Sequence, residues 1–177
     1  MIEPAVMVRA ISAEEAMGRS ADLTEILRDC VDGGASVSFM TPLAPDKAEA
    51  FWRAAAEGIA RGERILLVAE EQGSGELVGT VMVVFAQPEN QPHRADISKM
   101  LVHRRARKMG VGAALMRAAE AAARAAGKTV LVLDTASPEA ERLYERAGWI
   151  RVGVVPDFAL MPDGRLCDTI FFYKHLR

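Results

Sequence analysis

The sequence has little that could bind a metal or form a disulfide: its 177 residues include two cysteines and three histidines. Cys30 and Cys167 stand far apart and alone, and the histidines are scattered, so the usual Cys/His zinc spacings are missing. No metal is expected, and isolated thiols of this kind are expected to stay unpaired. Excess charge of one sign is lacking too. A net charge of -2 provides no basic field for a polyanion, so no nucleic-acid partner is expected. No apolar run reaches the 18 or so residues of a membrane span, so no membrane partner is expected. Met1-Ile2-Glu3-Pro4 lacks the basic and apolar stretches of an export signal, which leaves the cytoplasm as the expected location.

What is present is an ordinary globular composition, half hydrophobic and 26% charged, in a length that suits a single domain over residues 1–177. Alternation over residues 6–11 predicts a first strand. Ser12 and Glu15 then form a capping-box pattern for a helix reaching about Asp29. Pro45-Asp46 opens a second helix, on which Phe51, Trp52 and Ile59 recur at core-facing or dimer-facing spacing. The period then changes to that of strands over residues 64–69, 77–86 and 95–103. An alanine-rich helix over 111–126 is followed by the aliphatic run 129–133, which reads as a central strand buried on both faces. A short helix over 138–147 and strands over 149–155 and 166–173 complete an α/β chain of about seven strands and four helices. The strand–helix–strand unit between 95 and 134 implies one parallel pair in an otherwise antiparallel sheet.

The most informative stretch is Arg107-Lys108-Met109-Gly110-Val111-Gly112, between a strand and a helix. Glycines there let the backbone approach a ligand, and the free amides and positive end of the following helix favour an anion such as a pyrophosphate. The same glycines also suit a helix start packed tightly on the sheet. A nucleoside-triphosphate loop is excluded because Gly-Lys-Ser/Thr is missing, and the dinucleotide fingerprint fails because residue 115 is Leu. The neighbouring run of basic residues lacks interleaved aromatics to stack on bases.

Leu101-Val102-His103 leading into Arg107-x-x-Gly110-x-Gly112 resembles the acetyl-CoA motif of the GCN5-related N-acetyltransferases, the GNAT family. Ala140 to Trp149, with Leu143-Tyr144 and Gly148, resembles the next motif of that family. Within the family, residues 31–40, 94–96, 133–135 and 162–166 resemble the tabtoxin-resistance acetyltransferases. The resemblance implies a mixed sheet that splays between strands four and five, with acetyl-CoA as cosubstrate in the gap. It implies direct attack by the free amine of a small amino-acid-like, toxin or antibiotic molecule, and a homodimer.

Carried over residue by residue, the resemblance gives Leu101, Val102 and His103 to the strand side of the cofactor. It gives Arg107, Lys108, Met109, Gly110, Val111 and Gly112 to its phosphates. Ser137 stands where the family often has Asn against the pantetheine, or is simply a helix cap. Arg104 stands where Pro is frequent. Asp96 and Asp134 compete for the general base, and Tyr144 is the expected acid towards the departing sulfur. Gly33, Gly34 and Ser36 form either an acceptor-side loop or a plain helix stop. An acyl-CoA sensor without activity, or an acetyltransferase of protein amines, are the rival functions.

Overall fold

The computed structural model describes residues 6–176, so the amino-terminal residues used to argue against an export signal lie outside the described residues. Seven strands form one sheet in the order β1-β2-β3-β4-β5-β7-β6: Val6–Ile11, Arg64–Glu71, Leu77–Val84, Arg94–Val102, Val130–Thr135, Ile150–Leu160 and Leu166–His175 for β1 to β7. Among the described residues, only β4 and β5 run parallel, joined through α4 (Val111–Ala125). The remaining helices are α1 (Ala13–Gly18), α2 (Ser20–Asp32), α3 (Pro45–Ala60) and α5 (Pro138–Arg146).

Strand alternation divides the core into two layers. On β2, Leu67 and Ala69 join a cluster under α4 with Val111, Leu115, Met116 and Ala119. Leu66 and Val68 point the other way, into a cluster with Leu23, Ile26, Leu27 and Trp52 of α2 and α3. Burying each such aliphatic side chain contributes roughly 1.5–3 kcal/mol. Both layers are needed because the sheet is apolar on both faces.

β4 breaks this alternation. Ala95 and Ile97 face α4, but Leu101 faces α2, while Met100 and Val102 pack on the α4 side. Regular period-two geometry would put residues 95, 97 and 101 on one face. The phase flips at an extra residue: Thr80 to Met82 of β3 spans Leu101 to Ser98 of β4, one residue more. This bulge holds Lys99 at φ 50°, and the Thr80 hydroxyl, wholly buried, donates to the Lys99 carbonyl at 2.9 Å.

Four expectations need correction. The first helix is two, because Arg19 leaves helical geometry, with its side chain held by Asp22 and the Gly75 carbonyl. Ser12 caps α1 by accepting from the Glu15 amide, yet the Glu15 carboxylate pairs with Arg9 instead of closing the capping box. β5 is not buried on both faces: Leu131 and Leu133 are buried, whereas Val132 is half-buried and Asp134 exposed. β6 runs to Leu160, five residues past the expected end, because β7 pairs with it up to the turn.

Candidate active site

Strands β4 and β5 pair through only three residues, Arg94↔Val130 to Asp96↔Val132, and part beyond them. The resulting gap has a different chemistry on each face, since neighbouring strand residues point to opposite sides.

On the α4 face lies the loop over residues 107–112, which leads into α4. Lys108 at φ 63° and Gly110 at φ 79° are both left-handed, and Gly110 caps α4 without a side chain. The intrahelical pattern of α4 starts when the Ala114 amide donates to the Gly110 carbonyl at 3.0 Å, which leaves the preceding amides of the first turn free for a ligand. No acidic residue stands in that turn. A Cβ on Gly112 would lie 3.2 Å from the Leu143 side chain of α5, so the two sequence motifs meet here in close packing. The Arg107 guanidinium returns to the Val102 carbonyl at 3.2 Å, which ties the loop to the end of β4. The His103 amide donates to Val78 of β3, so strand alternation turns the Val102 amide away from β3, towards the gap, and the Leu101 amide towards β3.

His103 and Ser137 both have partners within the protein. The His103 ring accepts from the Arg105 amide and lies 3.6 Å from Asp29 of α2, so it braces the loop from behind. Ser137 caps α5, accepting from the Ala140 amide at 3.2 Å and donating to Glu139. Its hydroxyl serves as the local cap of α5.

On the opposite face is a pocket of about 310 Å3, walled by the loop after α2, the end of β5 and the β6–β7 hairpin. The loop is pinned across it: Ser36 Oγ donates to the Leu160 carbonyl at 3.1 Å and the Thr41 amide to the Pro162 carbonyl at 3.0 Å. Residues 36–40 and 162–166, far apart in sequence, therefore share one wall. Gly33 and Gly34 do not line this pocket; they end α2, and Gly33 packs against Arg104, with a Cβ there only 3.1 Å from the Arg104 side chain.

Asp134 lines the pocket, and the Thr169 hydroxyl donates to its carboxylate at 2.8 Å. Asp96 sits at the closed end of the gap, paired with Arg94 and accepting from Gln87 at 3.1 Å. The two carboxylates are thus placed differently: one opens on the pocket, the other is held by its own strand and the loop after β3.

Tyr144 is in the last turn of α5, with its ring against Trp149 and Phe172 in the α4-side core. Burial, and then the charge of Asp134, push its hydroxyl well above the usual phenol value. Cys30 is buried, donates weakly to the Val102 carbonyl at 3.5 Å, and has its thiol pushed up by burial, which makes it a poor nucleophile.

Sequence reasoning missed Ser38, Lys99, Cys167 and Thr169. Cys167 and Thr169 alternate along β7 and so share a face, but β7 carries no motif to mark it. Lys99 had one available signal, a charge in the middle of an otherwise apolar strand end.

The model of the acetyltransferase (GNAT) family matches residues 22–149. An N-acetyltransferase of Staphylococcus aureus Mu50 superposes with a TM-score of 0.79 at 22% identity, covering 97% of this chain and 99% of that one. A phosphinothricin acetyltransferase of Sinorhizobium meliloti, solved in complex with acetyl-CoA, gives 0.81 at 21%, covering 97% and 89%. A ribosomal-protein-alanine N-acetyltransferase of Brucella melitensis gives 0.79 at 22%, covering 96% and 99%. At such identities the structures speak to the fold, which is that of the sequence resemblance. The match to the family model extends over most of the chain, and with it the chain belongs to the GNAT acetyltransferase family.

Proposed function

We propose that this protein transfers the acetyl group of acetyl-CoA to the free amine of a small amino-acid-like molecule, by direct attack in a ternary complex. The observation that carries this reading is the two-faced gap. Asp134 follows Leu133, which faces α4 beside Tyr144, so the aspartate and the tyrosine address the gap from opposite sides. An amine entering from the pocket and a thioester lying along α4 would meet between them.

The residues fit acetyl-CoA. The free first-turn amides of α4, with Lys108 and Arg107 beside them, suit its pyrophosphate, and Gly110 starts the helix with no side chain over them. The Val102 amide suits a hydrogen bond in the gap. When bound, the cosubstrate supplies an acetyl group activated as a thioester.

Asp134 serves as the base: as a carboxylate it takes a proton from the acceptor ammonium, directly or through water, and Thr169 fixes its orientation. Tyr144 stays protonated and stabilises the developing thiolate. Even at reference values, full transfer from a phenol to a thiolate is uphill by ~2 kcal/mol. Its raised affinity for the proton makes hydrogen-bond donation its main contribution. Asp96, already paired, is the weaker candidate for base.

A pocket of about 310 Å3 favours a small acceptor over a folded protein. The phosphinothricin acetyltransferase likeness and the tabtoxin-resistance resemblance favour an amino-acid-like toxin or antibiotic. Val152, Val154 and Phe158, exposed on the edge strand β6, support a homodimer, and two free thiols suit the cytoplasm. The mechanism is tested by incubating the protein with acetyl-CoA alone, then adding acceptor. Thiol release should await the acceptor, with no acetyl group on the protein. An acetylated Cys167, which lies in the pocket, would overturn direct attack.

A further inference from the structure

Two non-glycine residues with left-handed backbones meet at the wall of the pocket. Ser38, at φ 78°, lines it; Lys99, at φ 50°, sits on the β4 bulge, and its ammonium donates to Ser38 Oγ at 3.3 Å. Backbone strain of this kind costs about 1–3 kcal/mol per residue and persists only where the surroundings enforce it. At Lys99 the enforcement is visible in the Thr80 hydroxyl bonded to its carbonyl. The ammonium lies 5.4 Å from the centre of the Phe51 ring, and among the described residues no carboxylate lies within ion-pair distance of it. Burial lowers its affinity for a proton, partly offset by the charge of Asp134.

An ammonium kept half out of water without an ion partner is a cost unless an anion arrives. Ser38 accepts from Lys99, so its own proton is free to be donated onward into the pocket. Asp134 lines the same cavity. One pocket thus carries a carboxylate and, at a separate point on its wall, a lysine-backed hydroxyl.

We infer that Lys99 and Ser38 form the anion subsite of this pocket, which receives the carboxylate of a zwitterionic α-amino-acid acceptor while Asp134 receives its amine. The inference rests on the proposed acetyltransferase reading and narrows its acceptor: amines with no carboxylate are poor ligands. Lys99 and Ser38 are specificity residues and take no part in bond making.

The test is equilibrium binding, by calorimetry or ligand-observed NMR, of the L-amino acids and phosphinothricin, each compared with its carboxamide. The wild-type protein should bind at least one acid about 10–100-fold more tightly than its amide, as expected for a charge-assisted contact. Lys99→Met should close that gap by weakening the acid alone, and Lys99→Arg should restore part of it. Ser38→Gly, which also relieves the left-handed strain, should narrow it without loss of thermal stability. Equal binding of acids and amides by the wild type, no binding of any acid, or equal weakening of both in Lys99→Met would each overturn the subsite. Acetyl-CoA turnover on the same panel separates the two claims. Acids that bind with this preference but are not acetylated would refute the transferase reading and leave the subsite standing. Acetylation of acids and amides alike would do the reverse.

Discussion

Thr169, 3% exposed on β7, donates its hydroxyl at 2.8 Å to Asp134, which stands diagonally across on β5 and opens on the pocket. A buried hydroxyl aimed at a pocket carboxylate orients that group at little cost, because the donor is already ordered. Asp134→Asn should lower kcat by about 100-fold or more, within the range expected for a general base. Thr169→Val should cost about 5–10-fold, the worth of one hydrogen bond. Steady-state kinetics measure both, and a Thr169→Val effect as large as that of Asp134→Asn would argue for a collapsed pocket instead.

Tyr144→Phe retains the ring packing on Trp149 and Phe172 and removes only the hydroxyl. Turnover should fall about 10–100-fold, as for loss of a hydrogen bond to a charged group. Acetyl-CoA affinity should not change. Wild-type turnover in this variant would remove Tyr144 from the chemistry.

Gly112→Trp places an indole where a Cβ already meets Leu143. Acetyl-CoA binding, followed by calorimetry, should be lost, and a parallel thermal melt separates a blocked site from a disturbed α4–α5 contact. Retained affinity would sink the phosphate-loop assignment.

Glu120 is buried and holds two donors, Trp149 Nε1 at 3.0 Å and the Lys174 ammonium at 2.8 Å. Glu120→Ala leaves the lysine charge uncompensated and should cost about 3–5 kcal/mol in urea unfolding. The double change Glu120→Leu with Lys174→Met should cost much less. If the double variant is as unstable as the single, the penalty lies in packing and not in stranded charge.

Asp29 fastens α2 to the segment before the loop that leads into α4. Burial alone would raise its affinity for a proton, but the backbone amide and side chain of Arg104, both donating at 2.8 Å, outweigh that and hold the carboxyl below its usual range. A depressed carboxyl gives stability that is full above the unfolded value of about 3.9 and lost as pH falls through the lower folded value. Asp29→Asn should therefore cost about 1–3 kcal/mol at neutral pH, and the gap to wild type should close in acid. A gap that persists at low pH would contradict the ion-pair account.

The parts of this site that were legible in the sequence are those built from neighbouring residues. The turn into α4 could be read because Arg107 to Gly112 holds two glycines and a charge cluster within six positions, and Gly110 caps the helix. The order of elements along the chain and the parallel pair followed from the alternation of periods, whereas the place of β7 between β5 and β6 did not. The bulge at Lys99 was hidden, because Asp96 to Val102 reads as an ordinary strand and the extra residue shows only against its partner β3. Breaking the first helix at Arg19 depends on contacts with Asp22 and Gly75, the latter far along the chain. The pocket was half legible: Asp134 was picked from its place at a strand end, whereas Ser38, Cys167 and Thr169 come together only when the loop after α2 docks on the β6–β7 hairpin.

The measurement that bears most directly on the central claim is acetyl-CoA turnover, read as free-thiol release across amino acids, phosphinothricin, polyamines, aminoglycosides and peptides. The account predicts release with small amino-acid-like amines, and its abolition by Asp134→Asn. No release with any of these acceptors, in a protein that still binds acetyl-CoA, would contradict it and favour an acyl-CoA sensor.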